Sequence, residues 1–321
     1  MYRKFYGLTR NPFEISPDPY FFYPTPRHNE ALANLNYGVQ RRKGFVVVTG
    51  EVGTGKTLLV RCLLDALNRN QISFAYVFNP RLSVLDFLRY VLTDLRLPMT
   101  GKTKSEMLAH LNNYLIARYR RGTTAALIVD EAQLLSWELM EEIRLLTNLE
   151  TSQQKLLQIV LVGQPELDQK LDSVHLRQLK QRVGLRCRLE PLSLGELRGY
   201  VLRRLELAGA NSHGATIFAD GAIEIVHQFS RGIPRLINTL CENALVTGYA
   251  RQAKQITPEI IQEVAADFRL DVTSAAGVSE LADGDSRRKA LKTLFRMIEE
   301  LDAAPEKELE ETNFESGVKA E

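Results

Sequence analysis

The stretch FVVVTGEVGTGKT, residues 45–57, is the most informative segment of this 321-residue chain. Its first five residues are apolar or β-branched and predict a buried strand, and the GEVGTGKT that follows fits the pattern GxxxxGK[ST] in full. Glycines let backbone N–H groups wrap an anion, and a helix predicted over 56–68 begins where the motif ends. The pattern therefore predicts a phosphate-binding loop. The expected loop residues are Gly50, Glu51, Val52, Gly53, Thr54, Gly55, Lys56, Thr57 and Leu58.

A second motif, AALIVDE at residues 125–131, predicts the other half of a nucleotide site. A buried parallel strand would place Asp130 at the carboxyl edge of the sheet, beside the loop. We expect Thr57 and Asp130 to hold Mg²⁺, and Lys56 to neutralise the terminal phosphates of ATP. Glu131 would then polarise the water that attacks the γ-phosphate. ATP and Mg²⁺ are the predicted ligands.

Strand and helix patterns alternate through the first 190 residues. Strands are predicted over 45–49, 73–78, 125–129, 156–162 and 185–189, and helices over 29–42, 56–68, 84–95, 104–120, 137–148 and 175–183. This alternation predicts an α/β P-loop NTPase fold, a doubly wound parallel five-stranded sheet with helices on both faces. One predicted strand separates the two motif strands in sequence, an order that favours NTPases with a catalytic glutamate over kinase-like or GTPase-like proteins.

Beyond residue 191 only helices are predicted, over 194–209, 220–230, 234–251 and 258–268. The expected organisation has five parts. They are a Pro/aromatic segment at 1–28, too interrupted by prolines for a helix, an ATPase core at 29–191, a small all-helical lid at 192–268, a linker at 269–286, and an amphipathic helix with an acidic tail at 287–321.

The net charge of +2 conceals an uneven distribution, because residues 299–321 carry −7 and the rest +9. A composition that is 45% apolar excludes wholesale disorder. The sequence has no apolar run long enough for a membrane helix and no secretory signal, and its three cysteines form no CxxC pair. The five histidines lack ligand spacing. We therefore expect a cytoplasmic chain with no membrane span and no metal other than Mg²⁺.

Three further positions are candidate catalytic residues. Gln164 follows the strand at 156–162 and could reach the γ-phosphate or the attacking water. Arg235 begins a helix after Gly232-Ile233-Pro234 and could couple the lid to the nucleotide. A basic cluster lies before and within the fifth strand, where an arginine could act in trans on a neighbouring subunit. Its members are Arg177, Lys180, Arg182, Arg186 and Arg188, with Arg182 the first choice and Arg177 the second.

Four other residues are weaker candidates. Asn79 ends the second strand and is a candidate to hydrogen-bond Glu131. Tyr23, His28 and Glu30 precede the first strand and are candidates to frame an adenine.

Taken together, these motifs resemble the AAA+ ATPases, specifically the ExeA/GspA-like secretion ATPases. The resemblance covers about residues 1–268 and is greatest to the short MshM-like form of MSHA-type type IV pilus biogenesis. The matching segments are Gly7-Leu8, Asn11-Pro12-Phe13, residues 50–57, Asp130-Glu131-Ala132-Gln133, residues 145–150, residues 163–167, residues 176–182 and residues 232–238.

The resemblance implies a ring-forming ATPase that helps to assemble a type IV pilus or type II secretion apparatus. Its implied partners are further copies of the chain and inner-membrane assembly proteins, which would bring a cytoplasmic protein to the membrane periphery. Two alternatives share the same core: a DNA-binding transposition-type regulator (MuB/TniB-like) and the ATPase of an exosortase or polysaccharide export locus. DNA is less favoured, because no helix-turn-helix is recognisable and the arginine cluster has a place near the nucleotide.

Overall fold

A computed structural model describes residues 2–98, 103–210 and 214–270. The predicted linker beyond residue 270, the amphipathic helix and the acidic tail lie outside the described residues.

Five parallel strands form one sheet in the order β2-β3-β4-β1-β5. The strands are β1 Phe45–Gly50, β2 Ser73–Val77, β3 Ala125–Val129, β4 Leu157–Gly163 and β5 Leu185–Leu189. Every residue of β1, β3 and β4 is buried, as expected when helices cover both faces of a parallel sheet. The predicted five-stranded sheet is confirmed. Its order places β4 between the strands that carry the two motifs, so polar residues after β4 reach both.

Helices surround the sheet and continue after it. They are α1 Tyr2–Phe5, α2 Pro26–Gln40, α3 Lys56–Arg69, α4 Val84–Asp94, α5 Lys104–Arg120, α6 Trp137–Leu146, α7 Pro165–Leu171, α8 Arg177–Lys180, α9 Leu194–Leu207, α10 Gly214–Ile217, α11 Ala222–Ser230, α12 Pro234–Ala250 and α13 Pro258–Asp267. Helices α2 and α3 pack on one face of the sheet, and α4, α5, α6 and α7 pack on the other. The side chains of β1 alternate accordingly, with Val46 and Val48 facing the first set and Phe45 and Val47 the second.

A separate apolar core lies within α9 to α13 and includes side chains from the N-terminal segment. Tyr2, Tyr6, Leu8, Phe13 and Phe21 are all buried in it. The backbone of this segment also bonds to the helical region, because Thr9 N donates to Ala208 O over 2.7 Å. The first 21 residues therefore help to build the helical region, although they precede the sheet in sequence.

Three local predictions were wrong. The helix expected over 175–183 is a 3-10 turn at Val174–Leu176 followed by the four-residue α8. Helix α7 was not predicted, although it begins at Pro165 and proline is favoured at the first position of a helix. The N-terminal segment also contains α1 and a 3-10 turn at Pro19–Phe21, and α2 begins at Pro26, where the Thr25 side chain caps it.

Candidate nucleotide site

The GEVGTGKT loop joins β1 to α3 in a conformation that depends on its glycines. Gly53 and Gly55 have φ of +83° and +97°, in the left-handed region that other residues disfavour. Gly55 is the N-cap of α3 and offers no side-chain acceptor to the first-turn N–H groups. Those unsatisfied donors at a helix N-terminus suit an anion.

Lys56 is buried inside this loop, with 6% of its surface exposed. Its Nζ donates to Gly50 O over 2.7 Å and to Glu51 O over 2.8 Å. Burial lowers the pKa of its ammonium group, since removal from water disfavours the charge. Among the described residues it forms no ion pair with a carboxylate. A buried cation held only by loop carbonyls fits a phosphate group as its missing counter-ion.

Thr57 and Asp130 meet beside the loop. Thr57 Oγ1 donates to Asp130 Oδ2 over 3.2 Å, and the Tyr76 hydroxyl donates to the same oxygen over 3.3 Å. Asp130 is 3% exposed, and burial raises the pKa of its carboxyl group. The described residues include no cluster of three His, Cys, Asp or Glu side chains suited to a metal. One hydroxyl and one carboxylate still fit Mg²⁺, which takes its other ligands from water and phosphate oxygens.

Glu131 and Gln164 lie together at the same edge of the sheet. Glu131 follows Asp130 in a left-handed conformation, with φ of +50°. Its Oε2 accepts from Gln133 Nε2 over 2.6 Å and from Gln164 Nε2 over 3.3 Å. Gln164 reaches it from the N-cap of α7, directly after β4. The structure therefore brings together a carboxylate and an amide where a water could approach a terminal phosphate.

A cavity of about 480 Å³ joins these residues to the helical region. Arg235, at the start of α12, lies at its wall, and its backbone N–H donates to Gly53 O over 3.2 Å. A Cβ on Gly53 would lie only 2.8 Å from Arg235 Cβ, so the loop and α12 are in close contact. The other lining residues are Glu14, Ile15, Ser16, Pro17, Val52, Gly55, Lys56, Thr57, Leu58, Glu131, Gln164, Tyr200, Arg204, Pro234 and Asn238.

Several of these lining residues were not predicted from the sequence. Tyr200 and Asn238 are hydrogen-bonded to each other over 2.7 Å, and Asn238 Nδ2 donates to Glu14 O over 3.4 Å. The nearly buried Arg204 donates to Pro12 O over 2.6 Å. Pro12 and Asn238 belong to segments that carry the family resemblance, but these contacts were not evident because the partners lie about 200 residues apart in sequence.

The two arginines considered for a trans role lie outside this cavity. The Arg182 guanidinium donates to Thr147 Oγ1, at the end of α6. Arg177 is exposed on α8, and the described residues provide its guanidinium group with no hydrogen bond or ion pair. Arg182, the first choice, is thus held within its own chain, whereas Arg177 needs to give up no contact to reach another molecule.

The weaker candidates lie elsewhere. Asn79 Oδ1 accepts from Arg81 N over 3.4 Å and makes no hydrogen bond to Glu131. His28 supports the loop, since its Nε2 is 3.1 Å from Thr54 O and its Nδ1 is 2.7 Å from Thr25 Oγ1. Glu30 pairs with Arg27 on the surface, and neither Glu30 nor Tyr23 lines the cavity.

Comparisons with known proteins agree with this fold. Residues 39–171 match the family model of an AAA domain. The structure resembles that of Cdc6p from Pyrobaculum aerophilum, with a TM-score of 0.61 at 18% identity over 79% of this chain and 70% of that one. The ORC2 protein of Aeropyrum pernix gives a TM-score of 0.54 at 14% identity over 78% and 72% of the two chains. At such identities the likeness shows the fold alone. The sheet, the loop and the family match define an AAA+ protein of the P-loop class.

Similarity to a protein of known name shows which family of AAA+ proteins the chain belongs to. The chain is 46% identical over 257 residues to general secretion pathway protein A of Aeromonas hydrophila. The match spans 80% of this chain and 46% of that protein, so the chain corresponds to about half the length of its relative. It is a GspA-like AAA+ protein, as the motifs predicted. Within the described residues, no helix is both long and apolar enough to cross a bilayer.

Proposed function

We propose that the chain binds and hydrolyses ATP. The observation that carries this proposal is the position of Glu131, whose carboxylate lines the cavity that also contains Lys56 and Thr57. Lys56 would bind the terminal phosphates, Gln164 would orient the attacking water or the γ-phosphate, and Glu131 would accept the proton of that water. Arg235 would link the position of α12 to the nucleotide.

Thr57 and Asp130 would hold Mg²⁺, which supplies positive charge to offset the charge that develops on the phosphate oxygens. The buried Asp130 is available for this role, because its described hydrogen bonds come from Thr57, Tyr76 and its neighbour's N–H and not from a lysine or arginine.

The direct test is phosphate release from ATP by the full-length protein, with Mg²⁺ and with excess chelator. We expect turnover only with Mg²⁺, and the Thr57→Ala variant should require more Mg²⁺ for half-maximal activity. Turnover that persists in the chelator would refute the assignment of Thr57 and Asp130.

Self-association is part of the proposed mechanism. Arg177 or Arg182 would complete the nucleotide site of a neighbouring copy, because neither lines the cavity of its own chain. The exposed, unpaired Arg177 supports the first of these two. A trans arginine of this kind stabilises the negative charge of the transition state.

The proposed role in the cell is assembly of a type II secretion or type IV pilus apparatus, at the cytoplasmic side of the inner membrane. The relationship to general secretion pathway protein A supports secretion, and the MshM-like pattern of motifs supports a pilus. Deletion of the gene should reduce either surface pili or secreted enzymes, and a Glu131→Gln copy should fail to restore them. Normal pili and normal secretion in the deletion strain would refute this role.

A further inference from the structure

We propose that Gln133 is a positioning residue for hydrolysis. Its side-chain amide holds the Glu131 carboxylate at a fixed position relative to the backbone N–H of Gln164. The inference rests on the proposed ATP hydrolysis and concerns the one polar side chain in the Asp130-Glu131-Ala132-Gln133 motif that has no assigned role in it.

The hydrogen bonds of Gln133 fix which way its amide points. Gln133 Nε2 donates to Glu131 Oε2 over 2.6 Å, and its Oε1 accepts from the backbone N–H of Gln164 over 3.1 Å. A flipped amide would aim its oxygen at a carboxylate and its NH₂ at an N–H group, so only one orientation satisfies both partners. Gln133 therefore joins the second residue after β3 to the first residue after β4.

Two neighbouring residues, Gly163 and Lys170, hold Gln133 in this position. A Cβ on Gly163 would lie 2.8 Å from Gln133 Oε1, so glycine at the end of β4 leaves the space that the amide oxygen occupies. On the backbone side, Lys170 Nζ of α7 donates to Gln133 O over 3.3 Å and also to Leu135 O. Both the side chain and the backbone of the 3-10 turn at Ala132–Leu134 are thus tied to the β4–α7 connection.

This arrangement determines which oxygen of Glu131 is available. Gln133 and Gln164 both donate to Oε2, whereas no described residue donates to Oε1. The carboxylate is therefore held through one oxygen, and the other is left to accept a proton from water in the cavity that Glu131 lines. Without Gln133 the carboxylate would keep only the longer contact with Gln164 and could rotate, while the phosphate-binding residues would be unchanged.

The test replaces Gln133 by side chains of similar length. Gln133→Met removes both hydrogen bonds, and Gln133→Glu keeps the acceptor for Gln164 N–H but puts an oxygen against Glu131. The matched control is Gln158→Met, because Gln158 is also a glutamine whose amide uses both its oxygen and its nitrogen, here to join the backbone groups Gly44 N and Lys155 O at the opposite end of β4. ATP affinity, KM, kcat and melting temperature are measured for each full-length variant.

We expect both Gln133 variants to lose about tenfold or more in kcat, with ATP affinity and KM within about twofold of wild type. Gln158→Met should lower the melting temperature without this selective loss of kcat. In a Glu131→Gln background, Gln133→Met should have little further effect, since its role acts through Glu131.

Unchanged kcat in both Gln133 variants would overturn the inference, and so would a loss of ATP affinity as large as the loss of kcat. In either case the proposed function would still stand, provided that the wild-type protein hydrolyses ATP. A wild-type protein that binds MgATP and never hydrolyses it would overturn both.

Discussion

Lys56 is a buried cation whose described hydrogen-bond partners are neutral carbonyl groups. The loop satisfies its hydrogen-bonding capacity in part, and the carboxylates of Glu131 and Asp130 attract its charge without forming an ion pair with it. Because an unpaired charge in such a place is costly, the loop is organised for an anion rather than for its own stability. This is a property of a binding site, and it is visible in the protein without its ligand.

Lys56→Ala should weaken ATP binding by about 10- to 100-fold, since a hydrogen bond between charged partners contributes about 1.5–3 kcal/mol. The same change should not lower the free energy of unfolding much, because it removes a desolvated charge. Titration calorimetry and chemical denaturation measure the two effects. Lys155→Ala is the control, as Lys155 pairs with Glu150 away from the cavity. Wild-type affinity in Lys56→Ala would contradict the assigned role.

At the level of elements, the contact between the segment after β5 and the start of α12 depends on a single glycine. Gly232 has φ of +74° and precedes α12, and its carbonyl accepts from Leu192 N over 2.8 Å. A Cβ there would lie 2.0 Å from Leu192 O, which is a backbone atom and cannot rotate away. The turn therefore fixes where α12 and Arg235 begin.

Gly232→Ala should destabilise the protein by more than Gly7→Ala, which is the matched control. Gly7 also has positive φ, at +68°, but a Cβ there would meet nothing within 4 Å. The control should cost about 1–2 kcal/mol from backbone strain alone, and the Gly232 variant should lose more because of the clash. Denaturant unfolding of both variants provides the comparison, and equal losses would refute the argument.

The elements with strong local signals were predictable from the sequence. Strands β1, β3 and β4 are continuous apolar runs, and the loop between β1 and α3 follows a fixed spacing, so burial pattern and motif sufficed. Helices α7 and α8 lack such signals. Helix α7 begins with a proline, and α8 has only four residues.

The residues of the candidate site also fall into two groups, those that the sequence predicts and those that it does not. Lys56, Thr57, Asp130 and Glu131 were predictable, because each position within its motif is set by the strand or helix beside it. The bonding of Arg182 to Thr147 and of Gln133 to Gln164 was not predictable. Each joins residues about 30 positions apart, and which side chains meet depends on how α6, α7 and β4 pack.

On the scale of the whole molecule, the N-terminal segment links the helical region to the sheet. It packs its aromatic side chains among α9 to α13, passes the cavity at residues 14–17, and enters α2 against the sheet. A ligand in the cavity would therefore touch the sheet, the helical region and the segment that connects them. In this arrangement the proposed ATP binding would change how the helical region is held.

Mixing two inactive variants tests whether neighbouring copies share a site. Arg177→Ala lacks the proposed trans arginine, and Glu131→Gln lacks the proposed base, so each alone should be at least about 100-fold slower than wild type. In a mixed assembly, an intact Glu131 on one subunit can face an intact Arg177 on the next. Phosphate release by the mixture should therefore exceed that of either variant. Arg182→Ala in place of Arg177→Ala separates the two arginines.

The most direct test of the claim that this chain is an ATP-hydrolysing machine compares wild type with Glu131→Gln in MgATP, with nucleotide binding and phosphate release measured on the same samples. We expect both proteins to bind ATP with similar affinity, and turnover in Glu131→Gln to fall by about 100- to 10,000-fold, the contribution typical of a general base. Equal turnover in the two proteins, or binding without turnover in wild type, would contradict it.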